Sequence, residues 1–222
     1  IGRRFRLVHV NFGKCIIEVS TFRRLVEQTD DSLKHGSHGI IVRDNCYGTI
    51  EEDAFRRDFT INSIYYDISR QELLDYTGGI KDLNQHIIRL IGDPVGRLRE
   101  DPVRILRALR FAGKLNFSLD TSLVDALPLC AELLHHVSRA RLLDEVIKII
   151  RSGHALAICD LCEIHKVHDV LFPGLLKLLE SHATMKKFIK DALHNSDQRL
   201  RKGMHINPAF MFAVYYWPYV FD

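Results

Sequence analysis

Residues 99–111 read REDPVRILRALRF, in which two acids and a proline precede a helical segment that carries repeated positive charge. The arginines recur at intervals of three: Arg104, Arg107 and Arg110. Apolar residues fill the positions between them, so we expect the helix to be buried on most sides. Arginines beside a core need carboxylates, phosphates or a polar ligand. The spacing therefore predicts an anionic or polar partner for this stripe.

Asp101 and Arg104 together have the chemistry to recognise a nucleobase, because a carboxylate accepts hydrogen bonds and a guanidinium donates them. Adenine and cytosine each present an amino donor next to a ring-nitrogen acceptor, whereas guanine and uracil present the opposite pattern. A wrong base would leave groups unpaired, at about 1–3 kcal/mol per group. The pair would accept A or C and reject G or U. The alternative is that Asp101 only caps a helix beginning at Pro102 and that the arginines form plain salt bridges.

A second polar cluster lies in the stretch EEDAFRRDFTINS. Arg56 and Arg57 could hold phosphate oxygens, and Asp58 could hold a ribose hydroxyl or a metal ion. Asn62 could orient either of these ligands. The alternative is a salt-bridged helix face with i, i+4 pairs such as Glu52–Arg56. The residues alone leave both interpretations open.

The stretch CDLCEIHKVH spaces four zinc-type ligands three residues apart: Cys159, Cys162, His165 and His168. On one continuous helix, with about 1.5 Å of rise per residue, the first and last would lie roughly 13 Å apart. One zinc ion holds its donors at about 2.3 Å or less, and no residue in the stretch is a typical helix breaker. We therefore interpret it as a helix with cysteines facing a core and histidines near the surface.

Composition sets limits on the class of protein. The chain has 222 residues, of which 46% are hydrophobic and 27% charged, as in an ordinary soluble protein of one large or two modest domains. A net charge of +3 is too small to predict a nucleic-acid partner, so any basic patch must be local. The odd number of cysteines, five, favours free thiols in a reducing, cytoplasmic setting.

The ends and the hydropathy of the chain lead to two further expectations. No apolar run approaches the roughly 20 residues of a membrane span. The sequence opens on Ile1 without a signal-peptide pattern, which suggests a fragment of a longer protein.

The elements that must position these clusters fall into two parts. Residues 4–12 and 16–22 favour a hairpin around Gly13-Lys14, and residues 25–39 are polar and predict a mobile loop. Further predicted elements are a strand at 39–45, helical spacing over 51–68, a turn at Gly78-Gly79 and a strand at 87–92. After about residue 96 no strand pattern returns. Helices are predicted at 102–114, 121–136, 140–151, 154–170 and 174–193.

Three stretches, RRDFTIN, DYTGGIKDL and EDPVRILRALRF, in this order and spacing, resemble the template-independent RNA nucleotidyltransferases of bacteria. These are the CCA-adding enzymes and the bacterial poly(A) polymerases, the class II branch of the polymerase β superfamily. RARLLDEV resembles the next family motif, and NPAFMFAVYYW looks like the helical body of the poly(A) polymerases. The resemblance implies an α+β fold: a truncated polymerase β-like head with a small sheet at 1–95, then an all-helical neck at 96–152 and body at 153–222.

The resemblance also implies roles for individual residues. Arg57 and Asp58 would contact the triphosphate and the ribose, with Asn62 beside them, and Asp58 would count among the catalytic carboxylates. Glu18 sits where the family places a carboxylate beside its metal-binding pair. Asp101 and Arg104 would recognise the base. Arg107 and Arg110 would support the triphosphate or neighbouring carboxylates.

Basic residues of the neck and body would track RNA phosphates, although each alone has the alternative of being a solvated surface charge. The candidates are Arg139, Arg141, Lys186, Lys187 and Lys190.

The activity that the resemblance implies is the addition of AMP from ATP to RNA 3′ ends by a monomer with two Mg²⁺ ions. IGRRFRLVHV resembles the stretch that marks poly(A) polymerases, whereas CCA-adding enzymes usually carry a Gly-Thr-containing strand there. One departure is that the sequence contains no Asp-x-Asp, the metal-binding pair of the family. We therefore expect a piece of an enzyme that lacks its first strands. The alternatives are a CCA-adding enzyme and a non-catalytic module that binds RNA or nucleotide.

Overall fold

The structure of the protein, a computed structural model, describes residues 7–24, 47–180 and 182–221. It divides into two compact units, Ile1–Ile80 and Lys81–Asp222. The predicted division into head, neck and body stays a prediction. The loop predicted at 25–39 and the strand predicted at 39–45 lie outside the described residues, as do the first six residues of the stretch that favours poly(A) polymerase.

A β-hairpin opens the first unit. Strands β1 (Val8–Phe12) and β2 (Cys15–Val19) pair antiparallel. Phe12 lies opposite Cys15, so Gly13 and Lys14 form the turn, and Gly13 has a φ of 59°, a left-handed conformation that glycine adopts most readily. The predicted hairpin is therefore confirmed.

Helix α1 (Ile50–Phe55) begins with a capping box, because Thr49 Oγ1 accepts from Glu52 N and Glu52 Oε2 accepts from Thr49 N. A 3-10 turn at Thr60–Asn62 leads into an antiparallel pair, β3 (Ile64–Asp67) and β4 (Glu72–Asp75). The predicted helical spacing over 51–68 is therefore wrong beyond Phe55. The β-branched and aromatic residues at the end of that stretch pair with β4 instead.

The DYTGG stretch is a tight turn that begins α2 (Gly79–Gln85). The Asp75 carboxylate accepts from the backbone N–H groups of Gly79 and Ile80, both at 2.9 Å. A Cβ on Gly79 would lie 2.2 Å from the carbonyl oxygen of Thr60. Glycine is needed there because the turn packs directly against the TIN segment.

The second unit is mostly helical, and its two short strands pair in parallel. The strands are β5 (Ile87–Ile88) and β6 (Ser118–Leu119). The helices are α3 (Pro94–Glu100), α4 (Val103–Leu115), α5 (Thr121–Cys130), α6 (Arg139–Ile150), α7 (Ala155–Ile164), α8 (His168–Leu171), α9 (Leu175–Glu180), α10 (Ala183–Arg201) and α11 (Pro208–Phe221), with a 3-10 helix at Ala131–His136.

Two features of this unit escaped the sequence patterns. β6 contradicts the expectation of no strand after residue 96, because two residues are too few to show alternation. The sequence patterns predicted no helix at 94–100, whereas this segment forms α3. Asp93 Oδ2 accepts from Gly96 N at 2.7 Å and Pro94 occupies the first turn, which is a helix start.

The CDLCEIHKVH stretch is helical only in part. α7 ends at Ile164, Lys166 has a φ of 57°, and Val167 N donates to Cys162 O at 2.8 Å. The assumption of one unbroken helix through His168 is therefore wrong. Burial raises the pKa of the Cys159 thiol to about 11, although it accepts a hydrogen bond from Tyr215.

The core of the second unit forms where α4 packs against α7. Ile105, Leu106 and Leu109 on α4 are fully buried, as is Ile158 on α7. The helices approach so closely at Gly113 that a Cβ there would lie 2.5 Å from Ile158 Cγ1. Within residues 7–24, 47–180 and 182–221, none of the helices has the length and hydrophobicity needed to span a membrane.

Candidate nucleotide-binding residues

Asp53 is the centre of the polar cluster in the first unit. Its side chain is 1% exposed and accepts hydrogen bonds from Arg56 at 2.6 Å, Arg57 at 2.9 Å and the Tyr65 hydroxyl at 2.8 Å. Burial acts to raise the pKa of Asp53, but these donors and the Arg23 N–H outweigh it and lower the pKa to about 2. Asp53 is therefore a carboxylate at every physiological pH.

The negative charge of Asp53 affects both the orientation and the pKa of Arg57. Burial lowers the pKa of Arg57, but the hydrogen bond and the charge of Asp53 raise it overall. The salt-bridged helix face of the alternative interpretation is present, with Asp53–Arg57 as its i, i+4 pair. The example pair Glu52–Arg56 is wrong, because Glu52 caps α1 instead. The sequence patterns assigned Asp53 no role. One acid that precedes two arginines by three and four residues is nevertheless a recognisable spacing for salt bridges on a helix.

Asp58 and Asn62 lie next to each other, just beyond α1. Asp58 Oδ1 accepts from Asn62 Nδ2 at 3.1 Å and from the Phe59 N–H at 2.9 Å. The Asn62 amide thus holds the orientation of the Asp58 carboxylate. Ser63 Oγ donates to the Thr60 carbonyl at 2.9 Å and holds the preceding turn.

Glu18 lies on β2, opposite His9, and its side chain is 66% exposed with one oxygen 3.3 Å from His9 Nε2. A two-metal site for phosphoryl transfer places two cations about 3.5–4 Å apart, so several carboxylates must converge. In the described part of the chain, no group of three His, Cys, Asp or Glu side chains is arranged to hold a metal ion. Glu18 and Asp58 alone therefore do not fit the predicted pair of Mg²⁺ ions.

Asp101 binds an arginine that the sequence did not pair with it. Arg141 Nη2 donates to both carboxylate oxygens, at 3.0 and 2.9 Å. The contact of Asp101 Oδ1 with Val103 N is 3.4 Å, so capping is the weaker of its roles. The Arg141 side chain is 56% exposed, and an ion pair so accessible to water contributes about 0–1 kcal/mol.

Arg104 is held by α3. Its Nη1 donates to the Arg97 carbonyl at 2.6 Å and to Glu100 Oε2 at 2.7 Å. The structure thus places Asp101 and Arg104 in two separate polar contacts, one with α6 and one with α3. It does not show them paired side by side.

Arg107 and Arg110 share one buried acid of α6. Glu145 is 4% exposed, and its oxygens lie 3.2 Å from Arg110 Nε, 3.8 Å from Arg107 Nη1 and 2.6 Å from Lys148 Nζ. This carboxylate is the anionic partner that the arginine spacing predicted. Arg107 and Arg110 therefore form salt bridges, as the alternative interpretation of the arginine stripe predicted.

The lysines proposed to contact RNA all have acidic partners. Lys186 pairs with Glu163 at 2.7 Å, Lys187 with Asp191 at 2.6 Å and Lys190 with Asp160 at 2.9 Å. The hydrogen bond from Lys186 is the main cause of the lowered pKa of Glu163. Arg139 and Arg141 are exposed on α6. A role of these residues in RNA binding stays a prediction.

Comparisons with known proteins agree with the motifs. The family model described as "Poly A polymerase head domain" matches residues 1–89, and the one described as "Probable RNA and SrmB- binding site of polymerase A" matches residues 116–179. Poly(A) polymerase I of Salmonella typhi is 43% identical over 222 residues, and that of Escherichia coli O157:H7 is 44% identical over 223. Both alignments cover 98% of this chain and 48% of the relative, so the chain spans about half the length of these relatives.

A solved structure shows the same fold. The crystal structure of a tRNA nucleotidyltransferase complexed with a primer tRNA and an incoming ATP analog has a TM-score of 0.65 and 33% identity, covering 84% of this chain and 51% of that one. The α+β fold with a small sheet and a helical remainder is thereby confirmed. From its motifs, its helices and these relatives, the chain belongs to the family of the bacterial poly(A) polymerases and tRNA nucleotidyltransferases.

Proposed function

We propose that the protein containing this chain is a polynucleotide adenylyltransferase, which adds AMP from ATP to RNA 3′ ends without a template. The observation that carries the proposal is the identity of 43–44% with two enzymes named Poly(A) polymerase I along 98% of the chain. Its substrates are ATP and an RNA 3′ end. We extend the proposal to a cytoplasmic monomer that requires Mg²⁺, in keeping with the free-thiol composition and the family.

The reaction is an in-line attack of the RNA 3′-hydroxyl oxygen on the α-phosphorus of ATP. A phosphodiester bond forms, the bond between the α-phosphorus and the oxygen bridging to the β-phosphate breaks, and pyrophosphate leaves. Positioning and charge stabilisation supply most of the catalysis in phosphoryl transfer. We assign triphosphate contact to Arg57, because Asp53 fixes its guanidinium, and ribose contact to Asp58, because Asn62 fixes its carboxylate.

Base selection belongs to Asp101 and Arg104 in this proposal. Asp101 accepts from the amino group of adenine in place of Arg141, and Arg104 donates to the adjacent ring nitrogen. The exchange is accessible because the Asp101–Arg141 pair is exposed to water. Arg104 must turn from the exposed Glu100 carboxylate and from the Arg97 carbonyl oxygen. Arg107 and Arg110, fixed by Glu145, keep the helix that carries Arg104 in place.

Addition of CCA to tRNA is the second candidate, supported by the similarity to a tRNA nucleotidyltransferase bound to a primer tRNA. The Asp/Arg pair would accept cytosine as readily as adenine. A binding module without catalysis is the third candidate, supported by the poor fit of Glu18 and Asp58 to a metal pair.

Extension of a labelled RNA by the intact protein, with Mg²⁺ and one nucleotide at a time, separates the three candidates. We expect long A tails with ATP and little extension with GTP or UTP. Addition of only two C residues with CTP, or of a single A with ATP to a tRNA-like end that already carries the two C residues, would indicate a CCA-adding enzyme. Binding of RNA without extension would indicate the module without catalysis.

A further inference from the structure

A groove of about 480 Å³ lies between α10 and the start of α11, and no role has been assigned to it. Its volume is in the range of small-ligand sites, about 300–1,000 Å³. It lies outside residues 116–179, the range matched to the "Probable RNA and SrmB- binding site of polymerase A". It is also separate from the lysine pairs with Glu163 and Asp160, neither of which lines it.

Two phenylalanines line the groove, one from each helix. Phe188 of α10 is 45% exposed and Phe210 of α11 is 54% exposed, so each presents much of its ring to solvent. Aromatic faces of this kind are the platforms on which bases of single-stranded nucleic acids stack. Stacking is available to any base, since every base has a π face.

Polar groups suited to a nucleotide line the same groove. Asn195 and Arg199 follow Phe188 by seven and eleven residues on α10 and therefore lie on the same helix face. Within the described residues, the side chains of Asn195, Arg199 and His205 make no hydrogen bond or ion pair. A guanidinium suits a phosphate, and an amide suits a base edge.

One acid also lines the groove, but its charge is compensated. Asp191 accepts from Lys187 at 2.6 Å, so it does not set the sign of the groove alone. The other charged side chain of the lining is that of Arg199. The lining thus combines aromatic faces and amides with one guanidinium, and its one carboxylate is paired with Lys187.

We infer that this groove binds one nucleotide of single-stranded RNA, with the base stacked on Phe188 and Phe210 and the phosphate on Arg199. The inference rests on the proposed function, which requires the protein to hold an RNA chain while its 3′ end is extended. The groove would bind the RNA through the charge of the RNA phosphate and through base stacking, without distinguishing one base from another. Such a contact suits an enzyme whose product is a lengthening tail.

The test measures binding of a fluorescein-labelled oligoadenylate to the intact protein by anisotropy, without ATP. Phe188→Ala and Phe210→Ala should each raise Kd roughly 5- to 150-fold, the range that stacking of one base implies, and leave the salt dependence unchanged. Arg199→Ala should raise Kd and reduce the slope of log K against log salt by about 0.7. Val220→Ala, an exposed apolar change on α11 away from the groove, should alter neither.

Wild-type affinity and slope in all three groove variants would overturn the inference. So would a fall in Tm of the phenylalanine variants with unchanged Kd, because the groove would then be covered by protein rather than RNA. An equal loss in Val220→Ala would also overturn it. AMP addition by the wild type, measured with ATP and saturating RNA, tests the proposed activity separately. If that addition is absent while binding depends on the phenylalanines, the activity fails and the groove stands.

Discussion

At the scale of single residues, Asp53 shows how one buried acid positions a binding residue without itself being exposed. It is 1% exposed and joins Arg56, Arg57 and Tyr65. Removing one partner from a buried ion pair leaves the other charge uncompensated, which costs far more than the pair contributes when intact. The orientation of Arg57 therefore depends on a side chain that makes no contact with substrate in our proposal.

Asp53→Asn should lower the free energy of unfolding at pH 7 by at least about 2 kcal/mol, since the pKa falls from 3.8 to about 2 on folding. A carboxyl group whose pKa is lowered by folding stabilises the folded state fully at any pH above its ordinary pKa. That contribution to stability is lost as the pH falls from about 4 to about 2. The wild type should therefore lose stability across this window more steeply than the variant.

Urea unfolding at pH 7 and pH 3 measures both effects, with Glu51→Gln as the control. Glu51 is exposed in the first turn of α1, where a charge contributes roughly 0.3–1 kcal/mol through the helix dipole. Equal stability of Asp53→Asn and the wild type at pH 7 would contradict the role given to Asp53.

The sequence singled out candidate polar residues, but it did not predict most of their partners. The sequence patterns indicated Arg57, Asp58 and Asn62 as candidates. In the structure, the Asn62 amide does donate to the Asp58 carboxylate. The partner of Asp101 was missed because Arg141 is forty residues further along the chain. Local spacing reports partners within one or two helical turns, and it carries no information on which distant helix supplies a counter-ion.

At the scale of elements, helical periodicity predicted α4 and α6 to within a residue or two, because each is long and has a buried face. The seven-residue α3 and the two-residue β6 were missed, since so few residues show no period. The segment 64–67 was predicted helical, yet it pairs with β4. Pairing with the next strand along the chain decided the structure of that segment against its helical spacing.

Gly113 sets the distance between α4 and α7. Gly113→Ala should lower the free energy of unfolding by about 1–3 kcal/mol, because the new Cβ would lie 2.5 Å from Ile158 Cγ1 in a packed core. In an Ile158→Ala background, the same change should cost little or be favourable, since alanine is the better helix former by about 0.5–1 kcal/mol. A double-mutant cycle on thermal or urea unfolding measures the coupling. Additive effects of the two changes would show that the helices do not meet there.

At the scale of the whole molecule, the two units carry different parts of the proposed chemistry. The first unit holds the cluster of Asp53, Arg57 and Asp58, and the second holds Asp101, Arg104 and the groove on α10. The motif order identified the family from sequence, because these motifs span most of the chain. The sequence did not reveal the groove, since its lining joins α10 to a second helix across a turn.

The central claim is that a carboxylate and a guanidinium of the protein take the place of a template base. The most direct test is kcat/KM for ATP and for GTP on one RNA primer, in the intact wild type and in Asp101→Ala, with the exposed Asp125→Asn of α5 as control. We expect the preference for ATP over GTP to fall roughly 5- to 150-fold in Asp101→Ala, the cost of about one unpaired group, and to persist in Asp125→Asn. An unchanged preference in Asp101→Ala would contradict the claim.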